Sequence, residues 1–338
     1  MLVHLYCTAR HLPALDFPHQ LRWRLGRGDA ELERRLQQLT ASLSQPSEGP
    51  PGEGGLQLMA HLRRVAYGLC LEVEEPTQAR LGRWLEQAHG VALMPDQSLR
   101  DPWGEPFFQA DQSPNPRARL AVSAQAAQRR VNNLRRLRAE GVAVSHPLPA
   151  PIEEIELELR DPQEVARRAL ALFLVALRAE ALDSGDPVPV AEMEELQPLG
   201  FAALSSAERG FMLHPHPPRQ TVMEMSWRYE SLLALLWSLG RAELPPASEI
   251  CDVPTLVDML METEEEAFVA TAGLRLSSIV LDTLDLHQLY HQVVRQAEQE
   301  ETEPAVELVP GVVFERHYAL NWLTRFEEAD WDDISPGI

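Results

Sequence analysis

Six residues of the types that carry acid–base chemistry fall in two short runs of the chain. Arg228 and Glu230 lie in WRYESLLALLWSLG (227–240); Glu315, Arg316, His317 and Asn321 lie in GVVFERHYALNWL (311–323). A carboxylate beside an imidazole can pass a proton at neutral pH, and an arginine can hold the anion on which the pair acts. Read this way, Glu230 or Glu315 is the general base and His317 the acid, with Arg228, Arg316 and Asn321 holding the ligand. The same residue types also build buried Arg–Glu ties between helices, with Trp227, Tyr229, Trp237 and Trp322 as core aromatics around them. Helical spacing puts His317 and Asn321 on one face and turns Glu315 nearly opposite. The residues leave both readings open.

Other spacings are weaker. His287 and His291 are four apart, which could aim two imidazoles at one metal, with Asp282 and Asp285 nearby. No HExxH accompanies them, and Leu284 and Val294 share that helix face, so a partly buried hydrogen-bonded histidine pair is expected and no metal. His214-Pro215-His216 has an HxH pattern without the barrel strand that normally presents it. Gly26 and Gly28 make an incomplete glycine motif. The chain has 30 basic residues, all arginine. Schiff-base, P-loop and kinase-type lysines are therefore excluded, and with them pyridoxal-phosphate enzymes, P-loop NTPases and typical protein kinases. No cofactor is expected.

The 338 residues carry a net charge of −21, with 45% hydrophobic and 24% charged residues, an ordinary globular composition. The charge is uneven. Seven arginines and no acid lie between 112 and 139, whereas residues 140–338 are strongly acidic. An acidic main domain repels nucleic acid and anionic membrane, so a protein partner or a second copy of the chain is the expected associate. The arginine-rich segment is expected to pair with Glu153, Glu154, Glu156 and Glu158 rather than with nucleic acid. No apolar run is long enough for a membrane span, and His4, Arg10 and His11 break up the N-terminal apolar stretch. Cys7, Cys70 and Cys251 make neither a disulfide framework nor a zinc set, which suits reduced, buried thiols and a cytoplasmic location.

These residues need elements to position them. Leu2–Thr8, Tyr67–Val73 and Val91–Met94 read as strands, followed by a last hairpin around Asp101-Pro102-Trp103-Gly104. A helix opens at Gly28-Asp29 with Leu32, Leu36, Leu39 and Leu43 at helical spacing. Another, capped by Thr77, carries Leu81, Trp84, Leu85 and Ala88. Between them, Gln45–Gly55 reads as a mobile loop. The order predicts a small α+β domain over 1–111, a sheet with two helices on one face, and a linker at 112–118. An all-α domain follows over 119–338. There, Leu120, Ala124, Ala127, Val131 and Leu134 form an apolar stripe. Asp161-Pro162-Gln163-Glu164 and Ser205-Ser206-Ala207-Glu208 both read as capping boxes. The first opens a helix apolar nearly all round from Ala169 to Leu177. Further helices are predicted over Met223–Leu239, Thr255–Met261, Thr263–Thr271, Leu276–Gln299 and Val313–Phe326.

The segments WRYESLLALLWSLGRAELPP (227–246), Cys251-Asp252-Val253 and GVVFERHYALNWL resemble an uncharacterised bacterial family, domain of unknown function 4272. GVAVSHPLP, DPQEVARRALALF and the closing Trp331-Asp332-Asp333 fit the same pattern, which covers most of 117–333. Gln292 stands where the family tends to have Trp, and Ser335-Pro336-Gly337 departs from its usual Thr/Asp ending. The resemblance implies no activity. The expected function is a non-catalytic protein-interaction or ligand-binding module. The alternative is a metal-independent hydrolase or transferase using the Glu/His/Arg cluster.

Overall fold

The computed structural model describes residues 1–43, 53–74, 78–144, 148–304 and 307–334. Thr77, most of the expected loop at 45–55 and the ending at 335–337 lie outside them. By internal contacts the chain divides into two compact units. One comprises Met1–Arg135 with Val144–Glu158; the other comprises Arg136–Ala143 with the chain from Leu159 onward.

The first unit is built on five antiparallel strands in the order β2-β3-β1-β4-β5. They are β1 (Leu2–Cys7), β2 (His19–Gly26), β3 (Tyr67–Val73), β4 (Gly90–Leu93) and β5 (Leu99–Arg100). Pairing of Val3 with Leu71 and Leu5 with Leu69 puts these residues on one face. There they bury against Leu81, Trp84 and Leu85 of α3 (Gln78–Gln87). Tyr6 and Val91 point the other way, into a core with Leu32 and Leu36 of α1 (Ala30–Leu43) and Leu58 and Leu62 of α2 (Glu53–Arg63). The two helices expected on one face, α1 and α3, thus lie on opposite faces of the sheet, and the helix beside α1 is α2. Gly54 and Gly55, expected in the loop, belong to α2.

α4 (Ala124–Ala139) follows. The apolar stripe expected there is not its buried side: Val131 is 47% exposed, while Arg129 and Arg130 are 7% and 8% exposed. Their guanidinium groups donate to the backbone carbonyls of Ile152 and Pro149. Glu156, expected to pair with this helix, accepts instead from Arg64 and Thr8. A carbonyl can satisfy a buried guanidinium N–H as well as a carboxylate can, so charge alternation along the sequence did not identify the partners.

The second unit is helical. Asp161 caps α5 (Pro162–Ser184), accepting from the amides of Gln163 and Glu164. The Glu164 side chain does not return to the cap; it pairs with Arg160 at 2.7 Å. α5 is the central helix, with Ala169–Ala176 wholly buried. It packs against α7 (Pro198–Ala202), α9 (Arg219–Ser226), α10 (Arg228–Ser238) and α12 (Glu265–Ala270). Leu174, Val175, Met193 of α6 (Val190–Leu196), Phe201, Phe211 and Met212 of α8 (Ser206–Leu213) and Val222 share one core. Ser205 and Glu208 form the predicted capping box at the start of α8. The helix expected over Met223–Leu239 is broken at Trp227, where Glu230 N–H bonds three residues back to the Trp227 carbonyl. Gly240, with φ +69°, ends it. α11 (Val253–Met261), α13 (Ser277–Gln299) and α14 (Pro310–Leu323) complete the unit, α14 lying against both α10 and α13.

Gly200 lets α7 approach the α5 backbone: a Cβ there would stand 2.9 Å from the Leu170 carbonyl oxygen. Gly200→Ala should therefore cost about 1–3 kcal/mol, read as a lowered midpoint in urea denaturation. An unchanged midpoint would mean that α7 is free to shift outward.

Candidate functional site

The break at Trp227 sets where α10 begins and hence which way its first turn faces. Arg228 and Ser231, three residues apart, share the side toward α14, and Glu230 is turned away from them. On α14 the consecutive residues Glu315 and Arg316 likewise point in different directions. Two separate ion pairs result.

In the first, Arg228 Nη1 lies 3.0 and 2.9 Å from the two carboxylate oxygens of Glu315. The Ser231 hydroxyl lies 2.5 Å from Glu315 Oε2 and 3.0 Å from the Glu315 carbonyl. Burial raises the Glu315 carboxyl above its ordinary range, with the Arg228 charge and the Ser231 hydroxyl pulling the other way. In the second, Arg316 Nε donates to Glu230 Oε2 at 2.9 Å, and Glu230 Oε1 accepts from the Cys251 amide at 2.6 Å. The remaining Arg316 nitrogens donate to the carbonyls of Pro245, at 2.7 Å, and Glu249, at 3.1 Å. Arg316 is 0% exposed and Glu230 1%. Every side-chain nitrogen of Arg316 and both carboxylate oxygens of Glu230 have a protein partner. The pair ties α10, α14 and the Pro245–Cys251 loop to one point.

His317 faces α13. Its Nδ1 lies 2.7 Å from His291 Nδ1, so one ring carries the proton that the other accepts. His317 is held well below its ordinary pKa by burial and by the neighbouring His291 and His287, and burial lowers His291 to about 4. The expected His287–His291 pairing is not what forms: His287 Nδ1 bonds to the Thr283 carbonyl at 2.9 Å. Asn321 is buried one turn beyond His317. The six sequence candidates thus sit on two helices but divide among three local arrangements. His214 and His216 lie exposed between α8 and α9. Among the described residues, no three His, Cys, Asp or Glu side chains are grouped to hold a metal ion. Nor is any described helix long and apolar enough to cross a membrane.

Sequence reasoning missed Ser231, the Cys251 amide and the two carbonyls, because backbone groups and a lone serine leave no spacing signal. It also missed an aromatic and arginine stack beside the first ion pair. Trp331 packs edge-on against Tyr318 and Trp322, with centroids 5.0 and 5.5 Å away. The Arg168 and Arg228 guanidinium groups lie 4.9 and 5.8 Å from the Trp331 ring, and Arg160 lies 4.4 Å from that of Trp322. On the outer side of this stack is a cavity of about 490 Å³ whose lining includes Arg160, Arg167, Arg168, Ser205, Trp331 and Asp332.

The family model for a domain of unknown function (DUF4272) matches residues 129–334. No curated protein and no solved structure matches the chain.

Proposed function

The chain belongs to the DUF4272 family, and on that footing we propose that its helical unit is a non-catalytic binding module. The Glu/His/Arg cluster is its scaffold, and the cavity beside Trp331 is the place where a ligand or partner docks. One observation carries this reading. The groups able to move a proton spend their polar atoms on one another and on backbone, in an interior with almost no exposure. An imidazole held neutral by burial is a poor general acid near pH 7, and a substrate would have to displace Arg228 and Ser231 to reach Glu315.

Glu315→Gln and His317→Ala test the assignment. Removing a scaffold residue lowers the melting temperature, because Arg228 or His291 then loses its buried partner, at about 1–3 kcal/mol each. Side chains kept for catalysis are commonly neutral or stabilising to remove, so unchanged or raised melts would overturn the scaffold reading. The alternative, a metal-independent hydrolase or transferase, draws on the raised Glu315 carboxyl. It requires an activity that Glu315→Gln abolishes without loss of fold.

A further inference from the structure

We propose that the first unit carries a site for a small aromatic carboxylate, in the cavity between α3 and the turn that follows β5. Its lining falls within residues 79–104, outside the family match, and it does not depend on the reading given to the helical unit. The cavity measures about 520 Å³, a volume usual for small-molecule sites. Leu81, Leu85 and Met94, residues of the sheet core, contribute apolar lining, and the Trp103 indole forms part of the wall.

Trp103 is 46% exposed, yet the turn that carries it is fixed. Asp101, 2% exposed, accepts from the Trp103 and Glu105 amides with Oδ1, both at 2.9 Å, and from the Arg119 amide with Oδ2 at 3.1 Å. Gly104, at φ +90°, closes the turn by donating to the Asp101 carbonyl at 3.0 Å. On the other side α3 is pressed against the turn at Gly82, where a Cβ would collide with the Pro102 carbonyl oxygen. The gap between helix and indole is therefore set before any ligand arrives, which lowers the ordering cost of binding.

Charge decides which ring fits. The Arg119 guanidinium lies over one face of Trp103, 4.5 Å from its centroid, so the exposed remainder of the ring is its other face and edge. A cation behind the indole draws π-density back toward itself, which favours an electron-rich or anionic ring in front and disfavours a second cation. Arg83 lines the cavity from α3, exposed and without a hydrogen bond or ion pair among the described residues, and supplies a guanidinium for the carboxylate. Arg100 is already engaged by Asp96 at 2.7 Å and by Ser98 at 2.9 Å. Because Asp101 has both oxygens on amides, Glu86 is the acid left among the described lining residues. It stands three residues from Arg83 and weakens the site for anions.

Calorimetric titration of the full chain with 2-naphthoate tests this, with cyclohexanecarboxylate as the non-aromatic acid and 2-naphthylmethylamine as the cationic ring. The naphthoate should saturate at one per chain, and the non-aromatic acid should bind about twofold to tenfold more weakly, which is the worth of an aromatic pair beyond its area. Trp103→Leu keeps an apolar side chain without a π-face and should abolish that preference. Arg83→Ala should weaken naphthoate several-fold without weakening the amine, as expected for one lost charge-assisted contact. Glu86→Gln should tighten the acid. All three residues are exposed, and unchanged melts without ligand confirm that the variants fold. Arg83→Ala removes a side chain with no described partner, so its effect is read independently of the turn. No saturable binding of naphthoate, an amine bound as tightly as the acid, or full naphthoate affinity in either Trp103→Leu or Arg83→Ala overturns the proposal.

Discussion

Glu230→Gln lowers the stability of the helical unit by about 3–5 kcal/mol. The side chain is nearly isosteric, so the loss comes from charge rather than volume. A glutamine carbonyl can still accept from the Cys251 amide, but the guanidinium of Arg316 is left as a full charge with no counter-ion at 0% exposure. Arginine cannot shed its proton to escape that cost. Replacing Arg316 alone with methionine strands the Glu230 carboxylate and frees the carbonyls of Pro245 and Glu249. Joint replacement of both residues by apolar ones should cost less than the two single losses added together, because no lone charge remains. Chemical denaturation of the two singles and the double measures this coupling. Strict additivity would show that the pair is not a pair in solution.

Acidification removes stability in a defined window. The His287 imidazole, whose ordinary pKa is 6.5, is pushed down to about 4 by burial, and His291 and His317 are lowered for the same reason. As pH falls below 6.5, the unfolded chain takes up protons that the folded chain refuses. Stability that is complete above that point drains away until the folded-state pKa is reached. For His287 alone the shift is worth roughly 3 kcal/mol, at 1.36 kcal/mol for each unit. Glu315 works against this trend, since burial raises its carboxyl and the protonated form suits the interior. Urea denaturation at about pH 7, 6 and 5 should show a falling midpoint, with a shallower fall in His287→Leu. A midpoint constant across that range would mean that these rings are not held neutral.

The core faces were legible where burial and hydropathy coincide. β3 was readable to the residue because Leu69, Leu71 and Val73 alternate with less apolar neighbours, and the Asp161 and Ser205 caps because both depend on local spacing alone. β2 was not. It is an edge strand with His19, Gln20, Leu21 and Arg22 all exposed, so no face of its first half is apolar. α4 misled for the opposite reason, since it buries arginine and exposes valine. At the site, the participating residues could be named but not matched. Whether Arg228 meets Glu315 or Glu230 depends on how α10 crosses α14 and on the tightened turn at Trp227. The meeting of His291 with His317, 26 positions apart, depends on α13 lying against α14.

The first unit is assembled from two stretches of chain, which has a consequence for the order in which it can be completed during synthesis. Glu156 supplies the carboxylate for Arg64 and Thr8, and the Ile155 carbonyl receives the Arg10 amide. A nascent chain that has emerged only as far as residue 111 already has all five strands but lacks these partners. Arg64 must then stay hydrated and the end of β1 loosely held. The sheet can close early, yet it waits through the making of α4 for its last anchor, a delay during which a chain elongating at roughly 5–20 residues per second remains open to proteases and chaperones.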